Sequence, residues 1–396
     1  MKLASLHVKN YKAFQDARLE NPPSFCVLLG ANGSGKTTLF DVFGFLRDSL
    51  KNNVRQALQV RGGFSEVVSR GHENETISFE LKFLMPLMDK ERHVTYLLEI
   101  GRSEKGVPLV EREILEYKRA RYGSPFHFLD FKQGKGWAVG NEADFNKSDE
   151  DLDREWQELD SPDILALKGL GQFQRFMAAS ALRSLIENWH VSDFHITAAR
   201  GVKDAGYAEH LSVDGDNLAL VAQYLFESHK DSFDHILKKF SASVPGIKGV
   251  EAVPTSDGRI VLKFQDGSFK DPFVSRYVSD GTIKMFAYLV LLHDPQPHPL
   301  LCVEEPENQL YPSLLGELAE EFQEYARRGG QVLVSTHSPD FIDAVPLDSI
   351  YWLEKQNGFT QIFRASDNEL LGNLVKEGDL PGRLWNQGMF GKVHPK

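Results

Sequence analysis

A short glycine-rich run near the amino terminus constrains the architecture more than any other part of the chain: Gly30-Ala31-Asn32-Gly33-Ser34-Gly35-Lys36-Thr37. The run matches the pattern G-x-x-x-x-G-K-[ST] at every defined position. Apolar residues 25–29 before it predict a buried strand, and apolar residues at spacings of three and four after it predict an amphipathic helix. This order is typical of a phosphate-binding site, because the loop and the helix N-terminus present backbone N–H groups to an anion.

The residue types within this loop favour a nucleoside triphosphate with its magnesium ion. Glycine lets the backbone turn toward phosphate oxygens, Lys36 can reach the β- and γ-phosphates, and the Thr37 hydroxyl can bind Mg²⁺. A glycine-rich turn without a ligand is the alternative, and the strand and helix on either side argue against it. We therefore expect ATP and Mg²⁺ as cofactors, with these residues at the nucleotide: Gly30, Asn32, Gly33, Ser34, Gly35, Lys36, Thr37 and Thr38.

A pair of carboxylates follows an apolar strand predicted over residues 300–303. The strand would deliver both side chains to the edge of the sheet. There Glu304 can hold Mg²⁺, and Glu305 can orient and deprotonate the attacking water. A solvated strand end is the commoner explanation of such a pair, but the presence of the phosphate-binding loop favours catalysis.

Two further motifs each have an ordinary structural explanation when taken alone. Ser279-Asp280-Gly281-Thr282 precedes an apolar helix and could be a helix cap, and His337 follows a predicted strand, 331–336, as a strand-to-loop histidine. Their order along the chain is more specific. The phosphate-binding loop comes first, then Ser-x-Gly before a helix, then a strand with Glu-Glu-Pro, and then a strand with Ser-Thr-His.

This order resembles that of ABC-type P-loop ATPase heads, which comprise transporter ATPases together with the SMC, RecF and OLD proteins. Ser-Asp-Gly-Thr and Glu-Glu-Pro-Glu-Asn-x-Leu-x-Pro are most similar to the motifs of OLD-like predicted AAA ATPases that lack a nuclease domain. The resemblance covers residues 1–70 and 190–355 well and the middle poorly. The opening stretch is similar to the N-terminal strand of the SMC, RecF and OLD branch: Val8-Lys9-Asn10-Tyr11-Lys12-Ala13-Phe14.

The resemblance implies an α/β fold, an ABC-type ATPase head with a mostly parallel sheet, covering helices, an antiparallel β subdomain and a mixed α/β insertion. Strands alternating with helices in the last third of the chain favour the parallel sheet. The middle has no heptad repeat, which excludes the long coiled coil of SMC proteins. We expect an N-terminal half of the head (1–75), a middle region (76–270), a C-terminal half of the head (271–365) and a tail (366–396).

The resemblance also implies roles for residues that match the family motifs. Ser279 and Gly281 would form the signature motif, which contacts the γ-phosphate bound by another protomer. Asn308 would lie in the segment that crosses the dimer interface, and Lys12 would lie near the nucleotide. The signature lacks the Leu-Ser-Gly-Gly-Gln form of transporters and SMC proteins.

The same resemblance implies which residues perform catalysis. Glu305 takes the position of the general base, His337 the position that senses the γ-phosphate, and Lys36 the phosphate-binding position. Glu304 takes the magnesium-associated position, where Asp is the commoner residue. The glutamine loop of the family has two candidates here, Gln56 and Gln59.

Composition excludes several classes of protein. The longest apolar stretches, such as Met285–Leu292, are far shorter than the roughly 20 residues of a membrane helix, so no membrane association is expected. The N-terminus lacks the apolar core of a signal peptide. Only Cys26 and Cys302 occur, both in apolar runs, which indicates buried thiols and a cytoplasmic protein.

A nucleic-acid partner would need a local basic patch, because the formal net charge is −11. Arg47, Lys51 and Arg55 recur every four residues on the predicted first helix and could contact DNA phosphates, although a solvated face also explains them. Further basic positions are Arg61, Lys118, Arg119 and Arg121.

Nuclease chemistry is not expected within this chain. Asp151 and Asp153 lie in the acidic run 141–164, which predicts an exposed segment or a mobile loop. His293 and His298 lie beside prolines, without the spacing of metal ligands on one helix face. The residues after the histidine motif are too few for the C-terminal nuclease domain of longer OLD proteins.

The expected function is therefore that of an ATPase that dimerises head to tail around ATP. The resemblance implies a switch for a DNA-linked or phage-defence effector in a separate chain, and a nuclease is one candidate for that effector. An ATP-dependent clamp with little turnover is one alternative. A transporter ATPase subunit is another, and the Lys-Asn-Tyr-Lys-Ala-Phe start argues against it.

Overall fold

The computed structural model describes residues 2–87, 90–118, 125–140, 147 and 151–391. Its strands are β1 (Lys2–Tyr11), β2 (Phe14–Glu20), β3 (Phe25–Leu29), β4 (Ile77–Leu87), β5 (Lys90–Arg102), β6 (Pro108–Tyr117), β7 (Phe126–Lys132), β8 (Lys135–Val139), β9 (Arg154–Glu158), β10 (His190–Ser192), β11 (Lys203–Asp204), β12 (Ile247–Pro254), β13 (Arg259–Asp266), β14 (Phe273–Val274), β15 (Leu300–Glu304), β16 (Gln331–Ser335), β17 (Ile350–Gln356) and β18 (Phe359–Arg364). Its helices are α1 (Lys36–Lys51), α2 (Val54–Gln59), α3 (Phe64–Val67), α4 (Ala166–Leu170), α5 (Met177–Glu187), α6 (Ile196–Ala199), α7 (Leu218–Ser228), α8 (Lys230–Ser243), α9 (Asp280–Leu292), α10 (Leu315–Arg327), α11 (Pro339–Asp343), α12 (Glu369–Lys376) and α13 (Pro381–Asn386).

A six-stranded sheet in the order β10-β15-β16-β3-β17-β18 carries the predicted motifs. Its first five strands are parallel, and β18 runs antiparallel to β17. Every residue of β3 and β16 is buried, as expected for parallel strands that are covered on both faces. Because β3, β15 and β16 point in the same direction, the three motifs that follow them meet at one edge of the sheet.

Antiparallel strands form two further sheets. The larger sheet has eight strands in the order β2-β1-β4-β5-β6-β7-β8-β9 and so joins the amino-terminal strands to those of the middle of the chain. In the smaller sheet, β13 pairs with β11, β12 and β14. The expected combination of a mostly parallel sheet with antiparallel β structure is therefore present.

Two hydrophobic clusters lie on opposite faces of the parallel sheet. Alternate side chains of β3 enter different clusters, because successive side chains of a strand point to opposite faces. Cys26 and Leu28 pack with helix α1 and the eight-stranded sheet, whereas Val27 and Leu29 pack with helices α7 to α10. Both cysteines are free and buried, as their apolar surroundings in the sequence predicted.

The acidic run contains a strand that the sequence analysis did not predict. Residues 154–158 form β9, which pairs with β8 at the edge of the eight-stranded sheet. Its side chains stay exposed or half-buried, so charge does not prevent pairing at this edge. Residues 154–158 are therefore not a loop, although their exposure agrees with the prediction of an exposed segment, and 141–146 and 148–150 lie outside the described part of the chain.

The single first helix expected from the apolar spacing is two helices. Helix α1 ends at Lys51, and the Asn53 side chain accepts a hydrogen bond from the Gln56 N–H, which starts α2. Asparagine is a good N-cap because its short side chain satisfies an N–H group of the first turn. Arg47 and Arg55 therefore lie on different helices, so the proposed basic stripe does not run along one helix.

The segment after residue 365 packs against the parallel-sheet core through Leu371, Leu384, Trp385 and Phe390, which are all buried. Across the described ranges, no helix combines the length and the apolar character that crossing a bilayer requires.

One buried carboxyl group joins the eight-stranded sheet to helix α4. Glu113 is 0% exposed, and its carboxylate oxygens accept hydrogen bonds from the N–H groups of Ala166 (2.5 Å) and Leu167 (2.9 Å) and from the Tyr96 hydroxyl (2.9 Å). Burial raises the pKa of Glu113 to about 7, although the three hydrogen bonds act in the opposite direction.

This raised pKa predicts a pH-dependent contribution to stability. The folded chain keeps a proton on Glu113 that the unfolded chain releases above about pH 4.5, so stability falls as pH rises to about 7. The free energy of unfolding of wild type, relative to that of Glu113→Gln, should decrease by about 2–3 kcal/mol between pH 5 and pH 8. Unfolding curves at both pH values measure this difference. The exposed Glu104→Gln is the control, and parallel pH profiles for wild type and Glu113→Gln would contradict the assignment.

Candidate nucleotide-binding site

The glycine-rich loop follows β3 and leads into α1, as the sequence predicted. Gly33 and Gly35 have φ values of 75° and 108°, in the left-handed region that glycine tolerates best. A Cβ atom at Gly35 would lie 2.7 Å from the Thr360 hydroxyl oxygen of β18. That hydroxyl donates to the Ser34 carbonyl (2.7 Å), so β18 packs against the loop and stabilises its conformation.

Lys36 folds back over the loop. Its Nζ atom donates to the Gly30 carbonyl (2.7 Å) and to Nε2 of His337 (2.9 Å), and the residue is only 7% exposed. Burial lowers the pKa of His337, and the Lys36 ammonium lowers it further. Since the lysine can only donate, His337 is a neutral imidazole with its lone pair on Nε2.

Thr37 and Glu304 lie next to each other, one at the start of α1 and the other at the end of β15. The Thr37 hydroxyl donates to Oε2 of Glu304 (3.3 Å). The other carboxylate oxygen, Oε1, is buried and has no hydrogen-bond partner among the described residues. Burial raises the pKa of Glu304, because the surrounding groups do not fully replace the water that the charged carboxylate has lost. A hydroxyl and an unsatisfied carboxylate oxygen are the hard donors that Mg²⁺ prefers, so these residues fit the ion.

Glu305 lies between the strand end and the histidine motif. It adopts a left-handed backbone (φ 42°), and its N–H donates to the Ser335 carbonyl (2.9 Å). Its Oε2 accepts from the Asn308 side-chain amide (3.0 Å), and its Oε1 lies 3.3 Å from Nε2 of His337. The structure therefore brings Lys36, Glu305 and His337 together at one edge of the sheet.

Glu307 is a site residue whose role the sequence analysis missed. Its Oε1 accepts hydrogen bonds from the Thr336 hydroxyl (2.8 Å) and from the His337 N–H (2.7 Å). Glu307 thus joins the loop after β15 to the turn that carries His337. Three carboxylates within four residues, Glu304, Glu305 and Glu307, were the signal in the sequence.

Lys284 is a second residue that the sequence analysis missed. It lies on α9, is 6% exposed, and donates through Nζ to the Asn308 carbonyl (2.7 Å). Burial lowers its pKa to about 8, while the charges of Glu307 and Glu305 act in the opposite direction. A lysine within the otherwise apolar helix was the available signal. This hydrogen bond links α9 to the loop after β15 that carries Glu305 and Glu307, here called the acidic loop.

The predicted signature residues do not join the phosphate-binding loop of their own chain. Ser279 is exposed and caps α9 by accepting a hydrogen bond from the Thr282 N–H (3.3 Å). A Cβ atom at Gly281 would lie 2.7 Å from the Gln309 carbonyl oxygen. No hydrogen bond within the described ranges connects Ser279 or Gly281 to residues 30–38.

Lys12 makes an ion pair with Asp41 of α1. The Tyr11 hydroxyl (2.7 Å) and Arg61 (2.6 Å) also contact the Asp41 carboxylate. The Lys12 side chain thus lies beside the helix that follows the loop, and no described hydrogen bond connects it to residues 30–38.

Two arginines of the candidate basic patch for DNA form ion pairs within the chain. Arg61 pairs with Asp41 and Asp48, and Arg47 pairs with Asp48, with side chains only 11% and 15% exposed. Both guanidinium groups are mostly covered and already paired with carboxylates of the same chain, so Arg47 and Arg61 are removed from the patch. Lys51, Arg55 and Lys118 are exposed, and Arg119 and Arg121 lie outside the described residues.

The remaining candidates lie apart from the site. Gln56 and Gln59 are exposed on α2, and no described hydrogen bond connects either side chain to the phosphate-binding loop. Asp151 and Asp153 are exposed beside the edge strand β9. Exposure of both carboxylates agrees with their interpretation as solvated charge.

The fold and this site are those of an ABC-type P-loop ATPase head, and the expected fold class is confirmed. The family model described as "AAA domain, putative AbiEii toxin, Type IV TA system" matches residues 25–343, and the chain belongs to this family. The chain is accordingly an ATPase. No curated protein matches its sequence.

Solved structures of SMC heads share the fold at low sequence identity. The SmcHead bound to the C-winged helix domain of ScpA has a TM-score of 0.55 and 12% identity, with 91% of this chain and 97% of that chain covered. The Smc head domain with an extended coiled coil bound to the C-terminal domain of ScpA, derived from Pyrococcus furiosus, has a TM-score of 0.52 and 12% identity, with 96% and 100% covered. At this identity the similarity shows the fold alone.

The contact between α9 and the acidic loop predicts different results for two similar glycines. Gly281→Ala should push the Gln309 carbonyl away, displace the loop that holds Glu305, and lower ATP turnover by at least about tenfold. Gly316→Ala is the matched control, because Gly316 is also the second residue of a helix and its Cβ would meet no atom within 4 Å. This control should keep activity and gain up to about 1 kcal/mol of stability. Equal turnover in both variants would contradict the contact.

Proposed function

We propose that two copies of this chain close head to tail around two ATP molecules, and that this closure switches an effector in a separate chain. The observation that carries the proposal is that Ser279 is exposed and that no described hydrogen bond connects Ser279 or Gly281 to residues 30–38 of the same chain. Ser279 is exposed, so the signature motif is available to the nucleotide of a second copy. Such an arrangement makes complete sites only in the dimer.

The proposed roles follow the geometry of the site. The loop residues Gly30 to Thr38 surround the phosphates, and Lys36 exchanges its carbonyl partners for phosphate oxygens. Thr37 and Glu304 hold Mg²⁺, which neutralises charge on the phosphates when it is bound. Glu305 accepts the proton of the attacking water, and Asn308 orients the Glu305 carboxylate.

His337 acts in this proposal as the sensor of the γ-phosphate. Its Nε2 atom accepts a hydrogen bond from Lys36, and its backbone N–H donates to Glu307. When Lys36 turns to a phosphate, the imidazole loses that donor, and the tautomer with hydrogen on Nε2 can then donate to the same phosphate group. Occupancy of the site is thereby transmitted to the turn before α11.

The comparisons supply the support for a partner. Solved SMC heads of this fold are bound to domains of ScpA, and the family is described as a candidate toxin of a type IV system. We propose a cytoplasmic protein that acts on a DNA-linked or phage-defence effector, with a nuclease as one candidate effector. DNA itself could contact only the exposed part of the basic patch.

The role of Glu305 predicts the effect of its amide. Glu305→Gln should still bind ATP, but hydrolysis should fall by about 10²- to 10⁴-fold because an amide cannot accept the proton of water. Steady-state phosphate release measures turnover, and binding of a fluorescent ATP analogue measures occupancy. Glu324→Gln, an exposed carboxylate of α10, is the control and should match wild type. Phosphate release from Glu305→Gln at the wild-type rate would remove Glu305 from the role of general base.

The head-to-tail arrangement predicts an ATP-dependent dimer. Glu305→Gln should form a stable dimer, or tighten an existing one, when ATP is added, because hydrolysis no longer opens it. Adding Ser279→Arg should abolish the dimer without loss of ATP binding, whereas the exposed Ser366→Arg should leave it intact. Light scattering with and without ATP measures the mass. A monomer at saturating ATP would refute the arrangement, as would a dimer that Ser279→Arg leaves unchanged.

A further inference from the structure

Three histidines and a buried aspartate gather at the edge of the parallel sheet opposite the nucleotide site. His190 is the first residue of β10, and His298 lies two residues before β15. Asp294 lies two residues beyond the end of α9, and His210 lies in the segment before α7. β10 and β15 run parallel, so the cluster lies at their amino-terminal ends, a strand length of about 15 Å from Glu304.

Three of these side chains have the spacing of a metal-binding group. One ligand atom each from His210, Asp294 and His298 lies within 4.8 Å of the other two. His210 Nδ1 and Asp294 Oδ2 are 2.7 Å apart. Ligand atoms around a tetrahedral zinc ion lie about 3.3 Å apart, so a small inward movement would complete the geometry. His210 can make this movement, because its side chain is 39% exposed and lies between elements.

The hydrogen bonding of His298 prepares one nitrogen for a metal ion. Its Nδ1 lies 3.2 Å from the Asn188 carbonyl oxygen, which can only accept, so Nδ1 carries the hydrogen. Nε2 therefore holds the lone pair, and it is buried without a partner among the described residues. A ring oriented by a backbone carbonyl through one nitrogen, with the other free, is the usual arrangement of a metal-binding histidine.

His190 supplies a second, independent sign of a missing partner. It is 5% exposed, and its Nε2 is also buried without a partner in the described part of the chain. Its ring stacks on that of His298, with 4.7 Å between the centroids.

The charge balance and the donor types limit the choice of ion. Asp294 is 4% exposed and brings one negative charge, while Lys51 and Arg47 add positive charge near the histidines. Imidazole nitrogen with one carboxylate oxygen suits Zn²⁺ and its first-row neighbours, whereas Mg²⁺ and Ca²⁺ prefer oxygen throughout. A pocket of about 530 Å³ borders His210 and His298, so an ion and a water ligand can enter from solvent.

We propose that His210, Asp294 and His298 form a binding site for a divalent first-row transition cation of the Zn²⁺ type, with His190 beside it as a potential further ligand. The ion would tie the segment around His210 to the carboxyl end of α9. The amino end of the same helix carries Ser279, so the site would anchor the helix that presents the signature motif. The proposal is independent of dimerisation and of the effector.

Titration of the untagged, chelator-treated full chain with Co²⁺ tests the site, because tetrahedral Co²⁺ with nitrogen ligands has strong visible absorption. Wild type should bind one Co²⁺ per chain in this form, and Zn²⁺ should displace it. Glu304→Gln should keep the absorption, which separates the site from the nucleotide site. The exposed His195→Ala is the matched histidine control and should also keep it.

Loss of a residue that only hydrogen-bonds to a metal ligand weakens metal binding by roughly 10- to 100-fold. Removal of a metal-ligating side chain should weaken Co²⁺ binding by more than this. Asp294→Asn changes a buried side chain and His298→Ala removes a buried nitrogen, so either variant could misfold. His210→Ala changes a half-exposed side chain and is the safer test. Circular dichroism checks the fold of each variant. Absence of Co²⁺ absorption in wild type would overturn the proposal. Absorption that survives in a folded His210→Ala or His298→Ala chain would overturn it as well.

Discussion

The parallel alignment of β3, β15 and β16 is the constraint on which the site depends. Parallel strands end at the same edge of a sheet, so the glycine-rich loop, the carboxylate pair and the histidine motif meet there although they are far apart in sequence. The contacts between Lys36, Glu305 and His337 follow from this alignment. The alignment in turn requires apolar cover on both faces, which the two hydrophobic clusters supply.

Two charged side chains, Lys284 and Glu307, connect the parts of the site that the strands do not align. Lys284 joins α9 to the loop after β15, and Glu307 joins that loop to the turn at His337. Hydrogen bonds to charged groups in a site sheltered from water are stronger than those at the surface, and an unpaired partner is costly. A movement of α9 would therefore reach both Glu305 and His337. This helix also ends at the histidine cluster, so its two ends lie at the two edges of the sheet.

The surface charge bears on which partners the chain can have. Arg47 forms an ion pair with Asp48, and Arg61 forms ion pairs with Asp41 and Asp48. These pairs stabilise α1, the helix that follows the glycine-rich loop. The chain as a whole is acidic, with a formal net charge of −11. Long-range attraction to a polyanion is therefore weak, and recognition of an effector would depend on local shape and on exposed groups.

The sequence by itself determined the fold class, the ATPase chemistry and the residues of the phosphate-binding loop, because these depend on local patterns: apolar strands, glycine positions and short motifs. It could not show that Asn53 divides the first helix, that β9 extends a sheet, or that Arg47 pairs with Asp48, since these depend on competing local caps and on packing. The linking roles of Lys284 and Glu307 could not be predicted from the sequence, because their hydrogen-bond partners, Asn308 and His337, are distant in the chain. The gathering of His210, Asp294 and His298 was likewise decided by tertiary structure, because three separate segments converge where β10 and β15 begin.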